Sequence, residues 1–412
     1  MAAKPQTVAD FDVVVIGGGL VGASLACALG ELPLRIAVVE TAVLRASDPP
    51  SYDDRSLALA YGTRRVFEAM GLWQTIAPHA TPIREIHVSD RGHFGANRMS
   101  AAAYGFDALG YVVENRSLGR VFADRLPSLS NVELICPARL EALEYRGDVL
   151  ACEVSQGETR RHITARLVVG ADGGLSAARR LSRIRARSID YGQSAVIANL
   201  SPELPHLYCA YERFTETGPL ALLPLSDDRC ALVWTVPAAR ASELLALSEA
   251  AFIAALQPRL GHRLGAVQRL GARTAYSLSL VTAERYIADR VALIGNAAHT
   301  LHPVAGQGFN LGLRDVAALA EVISDAARAD VDIGSRAALA RYEAWRRRDQ
   351  RRVVALTDGL IRLFSNDFAP VVAARNLGML GLELLPPLKR AMMRQTMGLA
   401  GRLPRLARGL PL

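Results

Sequence analysis

The segment that most restricts the fold is a strand, glycine loop, helix and second strand near the start of the chain. Residues 11–16 are apolar and predict a buried strand, three glycines follow as Gly-x-Gly-x-x-Gly, and small residues then predict a helix to about residue 30. A second apolar strand over residues 35–39 ends in an acidic residue. In such a βαβ unit the glycines allow a tight turn, close approach of a pyrophosphate and close helix packing, and the carboxylate binds a ribose hydroxyl. The predicted dinucleotide contacts are Gly17, Gly19, Leu20, Val21, Gly22 and Glu40. FAD and NAD both fit this segment.

A second glycine-rich loop lies within residues 289–312. An apolar run at 291–294 predicts a strand, and the loop after it leads into a helix from about residue 309. Glycines in such a loop let backbone N–H groups approach an anion or a polarised ring, because they lack a Cβ and the helix start leaves donors unpaired. The predicted contacts of this loop are Gly295, Asn296, Gly306, Gly308, Phe309 and Asn310. Two loops separated by most of the chain favour a long cofactor bound from both ends of the sequence.

The second loop resembles the second flavin-binding motif of aromatic-ring monooxygenases of the p-hydroxybenzoate hydroxylase type. That motif usually reads Gly-Asp-Ala-Ala-His, and Asn296 stands here at the Asp position. Gly-Asn-Ala-Ala, Leu-His-Pro and Ala-Gly-Gln-Gly-Phe-Asn-Leu-Gly together look most like the 2-polyprenyl-6-methoxyphenol 4-hydroxylases of bacterial ubiquinone synthesis. The resemblance covers residues 12–399. It implies bound FAD, NADPH or NADH as a transient reductant, O2, and hydroxylation of a polyprenylated phenol to the 1,4-benzoquinol through a flavin C4a-hydroperoxide.

The same resemblance implies roles for residues outside the two glycine loops. Residues 167–173 are similar to the superfamily's Asp-Gly motif, which places Asp172 near the cofactor pyrophosphate, and Arg55 and Arg116 fall where side chains contact the cofactor. The backbone carbonyl of Pro303 is expected to face the substrate hydroxyl, and His302 is a candidate proton relay. His299 and His302 also form a His-x-x-His pair, but no third ligand accompanies it at metal-site spacing, so we expect no metal.

The order of predicted elements indicates an α/β protein: a Rossmann-like FAD-binding domain, an interleaved mixed or antiparallel β-sheet substrate domain, and a C-terminal helical region. Residues 185–285 lose the alternation of strands and helices and become short strands, which is typical of an inserted antiparallel sheet. The predicted ranges are 1–75, 105–180 and 285–335 for the FAD-binding domain, 76–104 and 181–284 for the substrate domain, and 336–412 for the C-terminal helices.

The predicted substrate sheet suits an apolar ligand. p-Hydroxybenzoate hydroxylase carries an arginine on this sheet for its substrate carboxylate, whereas residues 214–228 here contain no cation. A carboxylate would be desolvated there without compensation, but a phenol with an apolar tail would not. The predicted substrate contacts are Leu220, Leu222 and Pro224.

The positive charge is concentrated at the C-terminus. The formal net charge is +8, and from residue 341 onward there are fourteen basic and five acidic residues. Residues 377–399 are mainly apolar with few aromatic rings, a pattern that favours a lipid interface or a hydrophobic partner over nucleic acid. The candidate lipid-facing cations are Arg375, Lys389, Arg390 and Arg394. The alternative is that these helices pack against the core.

The remaining sequence features indicate a cytoplasmic protein, peripheral at the inner membrane if the tail binds lipid. Residues 1–10 lack the basic region and apolar run of a signal peptide, and the five cysteines are scattered without a Cys-x-x-Cys pair.

Four other classes of flavoprotein fit part of this pattern. A flavin-dependent halogenase is excluded because it relays its oxidant through a lysine near the first glycine loop, and lysine occurs here only at positions 4 and 389. A sister ubiquinone-pathway hydroxylase acting at another ring position, a polyprenyl reductase and a non-catalytic flavin-binding assembly subunit remain open.

Overall fold

The computed structural model describes residues 9–43, 55–301, 306–364 and 368–412. The strands of these ranges are β1 (Phe11–Ile16), β2 (Ile36–Val39), β3 (Ser56–Ala60), β4 (Ala80–Ile83), β5 (Glu85–Asp90), β6 (Ala96–Ser100), β7 (Gly110–Glu114), β8 (Val132–Ile135), β9 (Arg139–Arg146), β10 (Val149–Gln156), β11 (Thr159–Gly170), β12 (Ala186–Pro202), β13 (Cys209–Thr215), β14 (Gly218–Pro224), β15 (Cys230–Pro237), β16 (Val267–Leu270), β17 (Thr274–Ala283), β18 (Ile287–Ala288), β19 (Val291–Leu293) and β20 (His299–Thr300). The helices are α1 (Leu20–Leu29), α2 (Tyr61–Ala69), α3 (Trp73–Ile76), α4 (Asn115–Arg125), α5 (Ala177–Leu181), α6 (Ala238–Ala246), α7 (Glu249–Leu260), α8 (Gln307–Arg328), α9 (Arg336–Phe364), α10 (Ala369–Leu384) and α11 (Pro386–Thr396).

The first sheet brings the two glycine loops to one edge. Its strands lie in the order β18-β19-β11-β1-β2-β8, and β1 pairs in parallel with both β2 and β11. Strand β19 pairs in parallel with β11, so the carboxyl ends of β1, β2, β11 and β19 lie together. Continuous apolar runs form these strands because helices cover both faces of a parallel sheet. The loop after β1 and the loop after β19 therefore meet where α/β proteins bind ligands.

The second sheet is mainly antiparallel and forms the floor of the site. Its order is β20-β17-β12-β15-β14-β13-β5-β6, and only the β13–β5 pair on this path is parallel among the described strands. Helices α6 and α7 cover one face, where Trp234 packs edge-on against Phe252 at 5.6 Å between ring centroids. The other face is turned toward the first sheet and the C-terminal helices.

Two strands lie outside the predicted division of the chain. Strand β4 falls in the range predicted for the substrate domain, yet it pairs with β7 in a small sheet of order β3-β7-β4. Strand β20 falls in the range predicted for the FAD-binding domain, yet it pairs with β17 of the second sheet. The loop after β19 thus links the two sheets directly.

Helices α8 and α10 each pack one face on the rest of the protein. Helix α8 lies against α1, where a Cβ added at Gly312 would lie 3.1 Å from Val21 Cγ2. Helix α10 is fixed to β5 and β6 because Arg375 Nε donates to Asp90 Oδ2 at 2.8 Å and Gly95 N donates to Asn376 Oδ1 at 2.8 Å. Among the described residues, no helix is long and apolar enough to span a bilayer.

Candidate active site

The first glycine loop has the geometry of a pyrophosphate cradle. Gly17 has a φ of +100°, and a Cβ there would lie 2.6 Å from the Ala171 carbonyl oxygen. A Cβ at Gly22 would lie 1.9 Å from the Gly17 carbonyl oxygen, so helix α1 approaches the loop too closely for any side chain. At Gly19 a Cβ would meet nothing within 4 Å, because this residue faces the cavity. The backbone at Gly19 is therefore open to a ligand at the start of α1.

Glu40 is held in place at the end of β2. Its Oε2 accepts from Gly18 N at 2.6 Å, and its Oε1 accepts from Ala42 N and Thr41 Oγ1, both at 2.9 Å. The carboxylate lies in the cavity wall. Since each carboxylate oxygen accepts more than one hydrogen bond, Glu40 can bind a ribose hydroxyl while it orders the first loop.

Asp172 and Arg179 shape the turn after β11. Asp172 Oδ2 accepts from Ala177 N at 2.6 Å and from Ala178 N at 3.0 Å, so this carboxylate holds the start of α5 while it lines the cavity. Arg179 is buried and donates to Ala297 O at 2.8 Å and to Gly174 O at 2.7 Å. Arg179 thereby ties the second glycine loop to the Asp-Gly turn. No sequence motif marks this role, because it depends on two distant loops meeting.

The second glycine loop packs directly on the first. Gly295 has a φ of +57°, and a Cβ there would lie 3.0 Å from Val21 Cγ1. Gly306 has a φ of +59°, and a Cβ there would lie 2.9 Å from Ala58 Cβ, whereas Gly308 faces open space. Leu20, Asn296 and Phe309 also line the cavity. The open position at Gly308, at the start of the long helix α8, can receive a negatively charged edge of a ligand.

The Asn310 amide is used within the protein. Its Oδ1 accepts from Ala60 N at 2.8 Å and Thr63 Oγ1 at 2.7 Å, and its Nδ2 donates to Ala58 O at 2.8 Å and Gly306 O at 2.7 Å. These bonds fill both donors and both lone pairs of a side-chain amide. The Asn310 side chain therefore hydrogen-bonds the second loop to β3, and only the backbone of this residue could contact a cofactor.

A buried charge cluster supports the second loop from behind. Asp315 Oδ2 lies 2.6 Å from His299 Nε2 and accepts from Gly295 N at 3.1 Å. Asp315 Oδ1 accepts from Arg346 Nε at 2.7 Å and from Gln350 Nε2 at 2.9 Å. Burial alone would raise the pKa of Asp315, but the charges and hydrogen bonds of His299 and Arg346 outweigh it and lower that pKa to about 2. The cluster joins α8 and α9 to the loop that carries Gly295.

The predicted catalytic residues His302 and Pro303 lie outside the described residues. Thr300 and Leu301, which precede them, are part of the cavity wall. His299 is buried on Asp315, and within the described ranges no three His, Cys, Asp or Glu side chains are grouped as a metal site requires. The roles of His302 and Pro303 stay predictions.

The two predicted arginines have different positions. Arg55 lines the cavity, with its guanidinium carbon 4.7 Å from the ring centroid of Tyr276 on β17. Arg116 is half exposed and forms an ion pair with Glu114 at 2.8 Å, outside the cavity wall. Helix α4 turns Asn115 and Gly119, four residues apart, toward the cavity. Arg116 lies about 100° around the helix from Asn115, so the structure does not support the predicted cofactor contact.

One cavity of about 1470 Å³ runs from the two glycine loops across the second sheet to α9, α10 and α11. Pockets for a single drug-sized ligand have volumes of roughly 300–1,000 Å³. The cavity therefore has room for a dinucleotide cofactor and a second ligand beside it.

The structure corrects the predicted substrate contacts by one residue. Ala221 and Leu223 of β14 line the cavity. Leu220 and Leu222 point to the opposite face and pack in the cluster that contains Trp234, and Pro224 is likewise buried outside the cavity wall. Strand β14 carries apolar residues on both its cavity side and its buried side, so hydrophobicity could not show which set of alternating residues faces the site.

The cavity floor is formed mainly by small and aliphatic side chains from adjacent strands, together with Glu212 of β13. Ala221 lies opposite Val233 of β15 and Glu212 of β13, and Leu223 lies opposite Ala231. Arg375 of α10 also reaches this cavity, and the Asp90 carboxylate neutralises it. Sequence reasoning missed the Arg375–Asp90 pair because the two residues are almost 300 positions apart.

These features define a protein with a dinucleotide-binding cradle joined to an apolar second site, and comparison with known proteins identifies the dinucleotide as FAD. Residues 10–357 match the FAD binding domain family. The ubiquinone hydroxylase UbiL of Rhodospirillum rubrum is 44% identical, over 97% of this chain and 93% of its own length. The 3-demethoxyubiquinol 3-hydroxylase of Escherichia coli is 32% identical, over 94% of this chain and 98% of its own length. The crystal structure of p-nitrophenol 4-monooxygenase from Pseudomonas putida shares the fold, with a TM-score of 0.79 at 21% identity over 95% of this chain and 98% of that one.

The chain belongs to the FAD binding domain family, within the group of FAD-dependent hydroxylases that contains these two relatives. It is an FAD-dependent aromatic monooxygenase, for which NADPH or NADH is the typical reductant. The fold class predicted from the sequence is confirmed.

Proposed function

We propose that this protein hydroxylates the ring of a polyprenylated phenol in ubiquinone synthesis. The observation that carries the proposal is one continuous cavity, which joins an FAD cradle to a mainly apolar sheet floor and then to the C-terminal helices. The names of the relatives support ubiquinone synthesis as the pathway.

The residues of the cradle fit FAD. The start of α1 at Gly19 would hold the pyrophosphate, Glu40 a ribose hydroxyl, and the start of α8 at Gly308 the pyrimidine edge of the flavin ring. When bound and reduced, FAD supplies the activated oxygen that the protein's own side chains cannot provide. The chain's residues bind and orient both ligands and exclude water from the space between the sheets.

The apolar floor fits the aromatic ring and its prenyl chain. Small side chains on the floor leave space above the sheet for a ring; they are Ala195, Ala221 and Ala231. Aliphatic contacts come from Ile197, Leu223 and Val233. Arg375, the cation that α10 contributes to this cavity, is already paired with Asp90, so it is not available as the counter-ion of a substrate carboxylate. Hydroxylation at ring position 4 rests on the sequence motifs and stays a prediction, to be separated from neighbouring positions by product analysis.

We further propose that the outer side of α10 and α11 contacts lipid. We call this surface the α10–α11 face; it consists of the exposed residues Phe368, Leu377, Leu380, Leu384, Leu385, Leu388, Arg390 and Arg394. Exposed leucines beside two exposed arginines fit an anionic membrane surface. Two of the cations predicted for this role face elsewhere: Arg375 is buried on Asp90, and Lys389 pairs with Glu383 at 2.7 Å.

Deletion of the gene tests the proposal. The deletion strain should accumulate a polyprenylated phenol that lacks a ring hydroxyl, and the position of the missing hydroxyl identifies the site of reaction. Complementation with the intact gene should restore ubiquinone. Normal ubiquinone in the deletion strain would contradict the proposal, and a precursor with a saturated prenyl double bond in the complemented strain alone would favour a polyprenyl reductase.

A further inference from the structure

We infer that the prenyl chain of the substrate leaves the cavity through an opening between α9 and α10, beside Gly378, and that this residue determines the chain length that the enzyme accepts. The inference deepens the proposed function and rests on it for the identity of the chain. It assigns a specificity-determining position to a helix that lies far from the flavin loops.

The opening is defined by wall residues that are also exposed. At the end of the cavity formed by the C-terminal helices, Leu356 and Leu363 of α9 line the cavity and are 38% and 37% exposed. Ala374 and Gly378 of α10 line the cavity and are exposed as well. Residues that face both the cavity and solvent lie at its mouth. The mouth is bordered by the α10–α11 face, where Leu377 is 60% exposed.

The distance between this mouth and the flavin loops is too large for a ring without a side chain to reach from one to the other. The flavin end lies at β17, where Tyr276 contacts Arg55, and the far end lies at β13, where Phe214 stacks on Phe364 of α9 at 3.6 Å between centroids. The order β17-β12-β15-β14-β13 separates them by four strand steps, or about 19 Å at roughly 4.8 Å a step. A polyprenyl chain attached to the ring spans that distance.

The walls between these ends suit a flexible hydrocarbon chain. Met379, Met393 and Met397 are buried and line the cavity together with Leu382 and Phe364. Methionine side chains are unbranched and adapt to irregular apolar ligands. Ala221 and Ala231 of the sheet floor line the same cavity, so the wall of this arm is formed mainly by apolar side chains, with Glu212 and the Asp90-paired Arg375 as charged members.

Gly378 is a position where the mouth can be narrowed without disturbing the fold. It lies inside α10 with ordinary helical φ, and a Cβ there would meet nothing within 4 Å. Glycine in a helix interior is less stable than alanine by roughly 0.5–1 kcal/mol, so a substitution does not weaken the helix. Gly381 is in the same helix and is equally free of contacts, but it is not part of the cavity wall. Gly381 therefore provides a matched control.

The test compares Gly378→Phe with Gly381→Phe in the full-length, FAD-loaded protein. A phenol with a long prenyl chain and the same phenol with one short prenyl group are assayed for NADPH-dependent product in detergent. We expect Gly378→Phe to lower kcat/KM for the long-chain phenol by about tenfold or more, because the added ring narrows the mouth through which the prenyl chain leaves, and to leave the short-chain value within about twofold. Gly381→Phe should leave both values unchanged.

Equal losses on both substrates, no loss on either, or the same long-chain loss in Gly381→Phe would overturn the inference. If the proposed function is wrong, the outcome differs, because the wild-type protein would then turn over neither phenol. In that case retention of the long-chain phenol during gel filtration replaces turnover: binding by wild type and Gly381→Phe but not by Gly378→Phe supports the opening, and equal binding by all three contradicts it.

Discussion

Replacement of Arg346 by methionine should destabilise the protein and loosen the second flavin loop. Arg346 is 2% exposed and donates from Nε to Asp315 Oδ1 at 2.7 Å. The substitution keeps the apolar stem but leaves the Asp315 carboxylate buried with one counter-charge fewer. Removal of one partner of a buried ion pair typically costs about 3–5 kcal/mol. Because Asp315 also accepts from Gly295 N, part of this cost should appear as weaker retention of FAD.

The loss of unfolding free energy caused by Arg346→Met should depend on pH. The folded pKa of Asp315 is lowered to about 2, so its contribution to stability is present above the unfolded pKa of about 4 and is lost as the pH falls toward 2. Since Arg346 is one cause of that lowering, the difference in unfolding free energy between wild type and Arg346→Met should be larger at pH 7 than at pH 3.

The assay is urea unfolding of both proteins at the two pH values, with FAD content measured after gel filtration. Arg341→Met is the control, because Arg341 lies in the same helix and forms an exposed pair with Asp325 at 3.0 Å. An exposed pair of this kind contributes at most about 1 kcal/mol. If Arg346→Met unfolds within about 1 kcal/mol of wild type and keeps its FAD, the buried cluster does not support the flavin loop.

Three further predictions test the site and the tail. Glu40→Ala should cost about 1.5–3 kcal/mol of FAD affinity, because the ribose loses a charged acceptor, and full retention of flavin by the purified variant would refute the assignment. Asn296→Asp should retain FAD and at least partial hydroxylation, since related motifs carry Asp there; isolation of the variant as apoprotein would show that the site needs an amide donor. Replacement of Leu384 and Leu388 by glutamate should lower co-sedimentation with anionic vesicles and leave short-chain turnover unchanged, whereas undiminished vesicle binding would place the lipid contact on another surface.

The features that sequence predicted well are those set by local physics. Strand β1 spans the predicted residues 11–16, because a run of buried aliphatic residues bounded by glycine has few alternatives. An added Cβ would lie 2.6 Å from a backbone oxygen at Gly17 and 1.9 Å from one at Gly22, so neither position can carry a side chain. Their spacing in the sequence therefore reports the geometry of the loop directly.

The features that sequence could not predict depend on contacts between distant segments. Strand β14 carries apolar residues on both faces, so its hydrophobic pattern gave no signal for the cavity side, and the predicted contacts were displaced by one residue. Arg116 was assigned by its place in a motif, but its position around α4 turns it to Glu114. Arg375 has the charge of a lipid-facing residue and is instead buried on Asp90, a partner that only the fold brings near.

Isotope labelling shows whether the protein hydroxylates the ring of a polyprenylated phenol with oxygen from O2. The purified FAD-loaded protein is supplied with NADPH, a short-chain prenyl phenol and 18O2, and the product is analysed by mass spectrometry. We expect a ring-hydroxylated product that carries 18O, with NADPH oxidation stimulated by the phenol. Bound FAD that NADPH never reduces, with the phenol recovered unlabelled, would contradict ring hydroxylation and identify a flavin-binding subunit without turnover.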